Sequence, residues 1–442
     1  MDLYNNIVEK IILPVGDKVL GTSFIKGLKH WRSLQYKDAD SLQKLQKKAL
    51  EDLLTYSTTN INYYKKINVS RCSNPYEWIK QFPLLTKKRI KDNLSEMLIK
   101  PEIENLVKEA SSGSSGIQST VYMSKKEASY SQGLQILAWE WGGYHLGDSV
   151  LQLGMSIERT HVKRIKDLIL NTTYTNAYKI DEKIVVDVLK KQRTNGFFCG
   201  YASGLYTYAK IAEEKGLNDI KFKSVISFGD KMFPHYRKKI EQVFNTRVYD
   251  NYGCTEGIII SAECEHGNQH IITPHVYLEL LDGNGNEVAP GEQGYVVVTR
   301  LDAYTMPLIR YYLGDLAIKS KNDKECLCGR KLPMLDMIIG RDTDIIITPN
   351  GKRLIVHFFT GICEHISEIK QFRVIQHRID DIEIEVIPDS GFSNTILDAL
   401  KNKLFERATE IFPLRFTIVD IIPATASGKP QIILSKLPKE II

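Results

Sequence analysis

The chain of 442 residues contains no uninterrupted apolar run of the roughly 18 or more residues that a membrane-spanning helix requires. Its first residues, MDLYNNIVEKIILPVGDK, lack the basic start and small-residue cleavage site of a secretory signal. The short IILPV segment therefore reads as buried, no membrane span is expected, and the location expected is cytoplasmic. Cysteine is sparse: 7 thiols, an odd number spread over a long chain, argue against a disulfide framework and for reduced side chains. An excess of one charge is also missing. Lys and Arg number 59 against 53 Asp and Glu, a net charge of +6 that leaves no extended basic surface, so no nucleic-acid partner is expected. The KKR triplet at 87–89 reads as a solvated helix face. Repeats are absent, and the only low-complexity stretch is a short Ser/Gly run. What remains is an ordinary globular composition, 43% hydrophobic and 25% charged, long enough for two or three domains.

Three regions differ in pattern. Residues 1–110 read as mainly helical, with Leu42, Leu45, Leu50, Leu53 and Leu54 near helical spacing. After the Ser/Gly run, short apolar segments such as SVLQLGMS and KSVISFGD alternate with amphipathic ones, the signature of a mostly parallel sheet covered by helices. From about 262 to 338 the period changes to two, around turns such as DGNGN, which predicts an antiparallel, barrel-like subdomain completing a large domain over 1–339. Residues 340–442 read as a small α+β domain, whose helix would bury Ile396, Leu397, Leu400, Leu404, Ala408 and Ile411. The expected class is α/β, with that small domain mobile.

Five segments carry chemistry. Ser111, Ser112, Gly113, Ser114, Ser115 and Gly116 form a run that suits either a flexible linker or a phosphate cradle, because glycine lets backbone amides close on an anion and serine donates to its oxygens. NYGCTEG at 251–257 offers an aromatic face in Tyr252, a turn at Gly253, a hydroxyl at Thr255 and a cation-binding carboxylate in Glu256. Asp315 ends IRYYLGD, where its carboxylate can accept from two ribose hydroxyls; Arg341 opens GRDTD at the domain boundary, and Lys429 sits in the pliable loop PATASGKPQ. Each segment alone also has a plain reading as a turn or a solvated loop.

Together and in this order, the segments resemble the adenylate-forming superfamily of acyl-CoA ligases, in the branch of phenylacetate-CoA ligases and capsular-polysaccharide biosynthesis ligases. The resemblance spans nearly the whole chain. It turns the Ser/Gly run into a phosphate loop and makes Gly229 and Asp230 of FGD an adenine contact. It implies ATP-dependent adenylation of a small carboxylic acid, then acyl transfer to coenzyme A or to an amine on a sugar or amino acid. In that scheme Glu256 holds Mg²⁺, Thr255 lies near the α-phosphate, and Tyr252 and Gly253 cover the adenine. Asp315 takes the ribose, Arg341 the ribose or phosphate side, and Lys429 on the swinging small domain neutralises charge as two anions meet. Three positions depart from the pattern: Ile117-Gln118 replaces a Lys-Pro pair, Asp230 replaces a glutamate, and Thr343 stands where an acid is usual.

Cys264, His266, His270, Cys326 and Cys328 cluster in two segments, AECEHGNQH and ECLCGR. Thiolates mixed with imidazoles suit tetrahedral Zn²⁺, while reduced cysteines beside unrelated histidines fit the spacing equally. The resemblance implies structural zinc, with Cys264, His270, Cys326 and Cys328 as ligands and His266 in reserve. Two competing functions share these residues: transfer of AMP to a non-carboxylate substrate, and a degenerate nucleotide-binding scaffold. A homodimer is compatible with the sequence.

Overall fold

The computed structural model describes residues 3–99, 105–110, 119–155, 159–178, 180–192, 196–321, 325–342, 344–363, 366–423 and 431–437. The expected phosphate loop, Ser111 to Gly116, together with Thr343 and Lys429, lies outside the described residues.

The first hundred residues are helical as their periodicity predicts. Asp38 accepts from the Ser41 amide and so starts the helix Ala39–Asn60. That helix buries Leu42, Leu50, Leu53 and Leu54, and it packs the last three with Ile61, Trp78 and Phe82; Leu45 faces outward. The reading of IILPV as buried is corrected, since Ile11 and Val15 are well exposed on the N-terminal helix. A capping box between Ser124 and Glu127 opens the helix Lys125–Trp141, which packs against the helix Phe24–Leu34.

The strands in chain order are β1 (Val107–Ala110), β2 (Thr120–Met123), β3 (Val150–Gly154), β4 (Thr172–Asn176), β5 (Gly196–Tyr201), β6 (Phe222–Phe228), β7 (Val248–Cys254), β8 (Ile258–Glu263), β9 (Gln269–Ile271), β10 (Val276–Leu281), β11 (Gln293–Arg300), β12 (Tyr311–Lys319) and β13 (Met334–Arg341). β1 and β2 form a hairpin flanking the Ser/Gly run. The other eleven form one mixed sheet in the order β10-β11-β12-β13-β9-β8-β7-β6-β5-β3-β4. From β4 to β7 every pairing is parallel, and helices such as Ala202–Glu214 and Pro234–Phe244 alternate with the strands. β5 is buried along almost its whole length, as a strand covered on both faces must be. The antiparallel strands expected in a barrel-like subdomain extend the same sheet outward from β7, because β8 turns back on β7 directly after the YGCTEG turn.

The small unit begins after β13. A hairpin of β14 (Ile345–Ile347) and β15 (Arg353–Ile355) leads to a four-stranded sheet in the order β18-β17-β16-β19, built from β16 (Ile369–Arg378), β17 (Asp381–Pro388), β18 (Leu414–Ile418) and β19 (Ile433–Ser435). The helix Asn394–Ala408 buries Leu400, Leu404 and Ala408 against the small unit's core. Thr409 takes the left-handed conformation and ends it, so Ile411 lies beyond the helix and is exposed rather than on its buried face.

Candidate active site

A cleft of about 840 Å³ lies where the carboxyl ends of β6 and β7 meet β13 and the small unit. Gly229, Asp230, Tyr252, Gly253, Asp315 and Arg341 all line it, with Val356, Gln431 and Ile432 contributed by the small unit. A parallel sheet opens such a crevice at its carboxyl edge, where strand ends present side chains and helix N-termini together.

Three of these residues form a chain of contacts. Arg341 and Asp315 are cross-strand partners on β13 and β12, with Nε 3.1 Å from Oδ1. The Tyr252 hydroxyl donates to the other carboxylate oxygen at 2.7 Å. A second guanidinium nitrogen of Arg341 donates to the Leu313 carbonyl at 2.8 Å, and the Asp315 carboxylate beside it holds the arginine firmly protonated. Burial raises the Tyr252 hydroxyl well above its usual pKa, and the neighbouring Asp315 charge adds to this. A tyrosine so placed is a fixed donor that holds the carboxylate still.

Glu256 is buried and held by two donors: the Tyr311 hydroxyl at 2.6 Å and the Thr255 hydroxyl at 3.2 Å. Ser119, just past the Ser/Gly run, hydrogen-bonds the same Tyr311 hydroxyl. Gly253 has a local cause: a Cβ there would sit 2.4 Å from the Ile258 carbonyl, inside the tight reversal from β7 to β8. Gly229 has φ +82°, and a Cβ would fall 2.4 Å from the Tyr201 ring. Asp230 lines the cleft while its carboxylate accepts from the Ala202 and Ser203 amides and the Ser203 hydroxyl. It thus caps the helix Ala202–Glu214, whose own N-cap position, Tyr201, has no side-chain cap.

Beside the cleft and within it are groups the motifs did not name. Of the KKR triplet, Lys88 and Arg89 are exposed as expected, whereas Lys87 is not. It is half-buried at the first position of a helix capped by Thr86, and burial, then Arg341, lower its pKa, opposed by Glu256 and Asp315. Leu85 brings it there: its amide donates to the Arg310 carbonyl at 2.9 Å, and its carbonyl accepts from the Tyr312 amide at 3.0 Å. Burial also lowers Lys231 to about 8 and raises the half-buried Asp250 to about 7. The Ser227 hydroxyl donates to Asp250, and Lys231 donates to the Ile339 carbonyl on β13.

On the other side of β8 and β9, Cys264, His270, Cys326 and Cys328 bring their ligand atoms within 4.8 Å of one another. Cys264 and Cys326 sulfurs are 3.6 Å apart, and His270 Nε2 lies 3.3 Å from Cys328 Sγ. His270 Nδ1 faces the Leu332 carbonyl at 3.1 Å, which fixes the ring with Nε2 turned inward. The amides of His266 and Arg330 and the Asn268 side chain point at the three sulfurs. Donors of this kind stabilise thiolates. Of the two histidines considered, only His270 joins the group. Arg330 stacks over Trp141 at 4.2 Å, pairs with Glu265 at 2.7 Å and donates to the Gln35 side chain at 3.3 Å, so this knot clips the sheet to the helical start.

Residues 346–436 match the CapK C-terminal domain. A phenylacetate-coenzyme A ligase of Thermus thermophilus is 28% identical over 189 residues, covering 40% of this chain and 42% of that protein. A human mitochondrial acyl-coenzyme A synthetase is 21% identical over 275 residues, 57% of this chain and 47% of the relative. The chain thus spans less than half the length of these curated relatives. Among solved structures, 2-hydroxyisobutyryl-CoA ligase in the postadenylation state superimposes with a TM-score of 0.74 over 91% of each chain at 16% identity. Its thioesterification state gives 0.58, and ATP-bound MatB from Rhodopseudomonas palustris gives 0.55 over 75% of this chain and 68% of its own. In fold the chain is similar to 2-hydroxyisobutyryl-CoA ligase, and in sequence it is similar to phenylacetate-coenzyme A and acyl-coenzyme A ligases over part of its length.

Proposed function

We propose that the protein is an AMP-forming ligase: it joins a small carboxylic acid to the α-phosphate of ATP, releases pyrophosphate, and passes the acyl group to a nucleophile. The observation that carries this reading is the convergence of Tyr252, Asp315 and Arg341 in one cleft at the domain junction, with the Lys87 charge interacting with Arg341, Glu256 and Asp315 beside it. The residues divide the work by charge. Asp315, fixed by Tyr252 and Arg341, keeps lone pairs for the two ribose hydroxyls. Tyr252 and Gly253 border the adenine. Glu256, buried and held by two hydroxyls, has the carboxylate chemistry to take Mg²⁺, which when bound would offset phosphate charge. Thr255 lies beside it, toward the α-phosphate. Lys87 adds a cation from the helical start, and Lys429 would bring another from the small domain, which closes for adenylation and turns away for transfer. The Ser111–Gly116 loop would hold the β- and γ-phosphates.

Cys264, His270, Cys326 and Cys328 supply the donor set of a structural Zn²⁺ site, three thiols and one imidazole, as a clip between two loops. Coenzyme A is the acceptor that the phenylacetate-ligase kinship favours, whereas the CapK C-terminal domain favours an amine.

The test is carboxylate-dependent exchange of labelled pyrophosphate into ATP, across aryl, aliphatic and amino acids, with Mg²⁺ and no acceptor. A strong signal for one acid class is expected. Silence across the panel by protein that still binds ATP, or AMP appearing on a non-carboxylate product, would overturn the reading.

A further inference from the structure

The helix at the N-terminus runs continuously from Leu3 to Leu20, with a π-helical turn at Val8–Ile12 between two α-helical parts. Pro14 gives the cause: it has no amide to return to the preceding turn, and a widened turn relieves its clash. The consequence is geometric. Apolar residues recur every four positions, at Leu3, Ile7, Ile11, Val15 and Val19, and all five are exposed, Leu3 at 75% and Val19 at 76%. A repeat of four would spiral around an ordinary helix, and the widened turn brings it closer to one face. The opposite face carries Asn5, which is buried and bonded to Asp148, and buried Val8; Ile12 and Leu13 pack against the core.

The charges on this helix are sorted. Lys10 and Lys18 are exposed alongside the apolar row. Glu9 instead pairs with Arg32, and Asp17 accepts from the Phe24 and Ile25 amides at 3.0 and 2.8 Å. The neighbouring helix His161–Ile169, joined through the Tyr4 hydroxyl to the Ile169 carbonyl at 2.8 Å, repeats the arrangement. Its Ile165 and Leu168 are exposed, the latter at 80%, together with Lys163 and Arg164, while Asp167 is held by Arg159 at 2.8 Å. The outward face of these two helices therefore combines apolar side chains with cations, and each of its carboxylates is engaged elsewhere.

We infer that this face is an interfacial docking surface for an anionic lipid bilayer, on which the N-terminal helix lies without crossing. Apolar side chains enter the headgroup boundary while lysines meet lipid phosphates. No helix among the described residues is long and apolar enough to span a membrane. A second copy closing on the same face about a twofold axis would set lysines against lysines, with no acid available to answer them. The inference does not depend on the proposed chemistry.

The experiment is co-sedimentation of the full chain with vesicles of phosphatidylcholine alone or mixed with phosphatidylglycerol, at low and high salt. Binding is expected to the anionic vesicles and to weaken with salt. Replacing Lys10→Gln and Lys18→Gln should lower the partition coefficient about fivefold each. Ile11→Ser with Val15→Ser and Val19→Ser should abolish binding while leaving the melting curve and pyrophosphate exchange unchanged, since all three side chains are exposed. Absence of vesicle binding, or binding indifferent to both sets of substitutions, would refute the assignment. A concentration-dependent dimer that disappears in the triple-serine variant would give the face to a second copy instead.

Discussion

Substituting Asp315→Asn keeps the shape of the side chain and removes its charge. In the native cleft one carboxylate oxygen lies 3.1 Å from Arg341 Nε and the other accepts from the Tyr252 hydroxyl at 2.7 Å. The asparagine carbonyl can keep the arginine contact, and its amide can donate to Tyr252 if the hydroxyl turns. The geometry therefore survives while the ion pair is lost. Because the Arg341 side chain is 34% exposed, water replaces part of that pairing. The stability loss should fall between that of a surface pair and a buried one, about 1–2 kcal/mol. Nucleotide binding should suffer more. A charged acceptor for two ribose hydroxyls becomes one neutral acceptor, a loss of about 2–4 kcal/mol, or a rise of about 30- to 700-fold in the Kd for ATP. Calorimetry with ATP and 2′-deoxy-ATP measures this directly: the native protein should prefer ATP, and the variant should lose most of that preference. A folded variant with undiminished ATP affinity, or with its discrimination intact, would show that Asp315 does not hold the ribose.

Lys429→Ala should cripple pyrophosphate exchange while leaving acyl transfer from preformed adenylate much less affected; equal losses in both half-reactions would contradict an alternating domain. Lys87→Ala should lower exchange by a factor on the order of 10², and an unchanged rate would return that lysine to the protein surface. Protein purified without chelator or nickel should contain one zinc per chain by mass spectrometry, and Cys264→Ser should lower both zinc content and melting temperature; substoichiometric zinc in the native protein would sink the metal site. Burial raises Asp250 to about 7, far above its unfolded value. Between about pH 4 and 7 the folded state thus binds more protons than the unfolded one, and Asp250 makes stability fall as pH rises. Asp250→Asn should flatten that fall in a series of melting curves, and an unaltered slope would remove the assignment.

Local periodicity and turn chemistry made much of the fold legible. The leucine stripe from Leu42 to Leu54 and the alternation of strands and helices from β3 to β7 follow from spacing alone. The motif residues were legible because each sits at a turn with its own steric requirement, as Gly229 and Gly253 illustrate. Other features depended on partners far away in the chain. Lys87 resembled a surface charge until the pairing of Leu85 with β12 brought it within reach of Arg341, Glu256 and Asp315. Asp230 lines the cleft, and its oxygens also cap a helix that starts 28 residues earlier, a role its motif did not reveal. IILPV resembled a core segment because hydropathy cannot reveal which face of a helix meets a neighbour.

The sequence by itself determined the residue types, their order, and the local turns that present them, since these depend on contacts within a few positions. Which cysteines and which histidine share one knot, how Asp315 is clamped between Tyr252 and Arg341, and which apolar face is left to solvent were decided only by the tertiary structure. Each rests on registering strands and helices tens to hundreds of residues apart, and that register is set by the packing of the whole sheet.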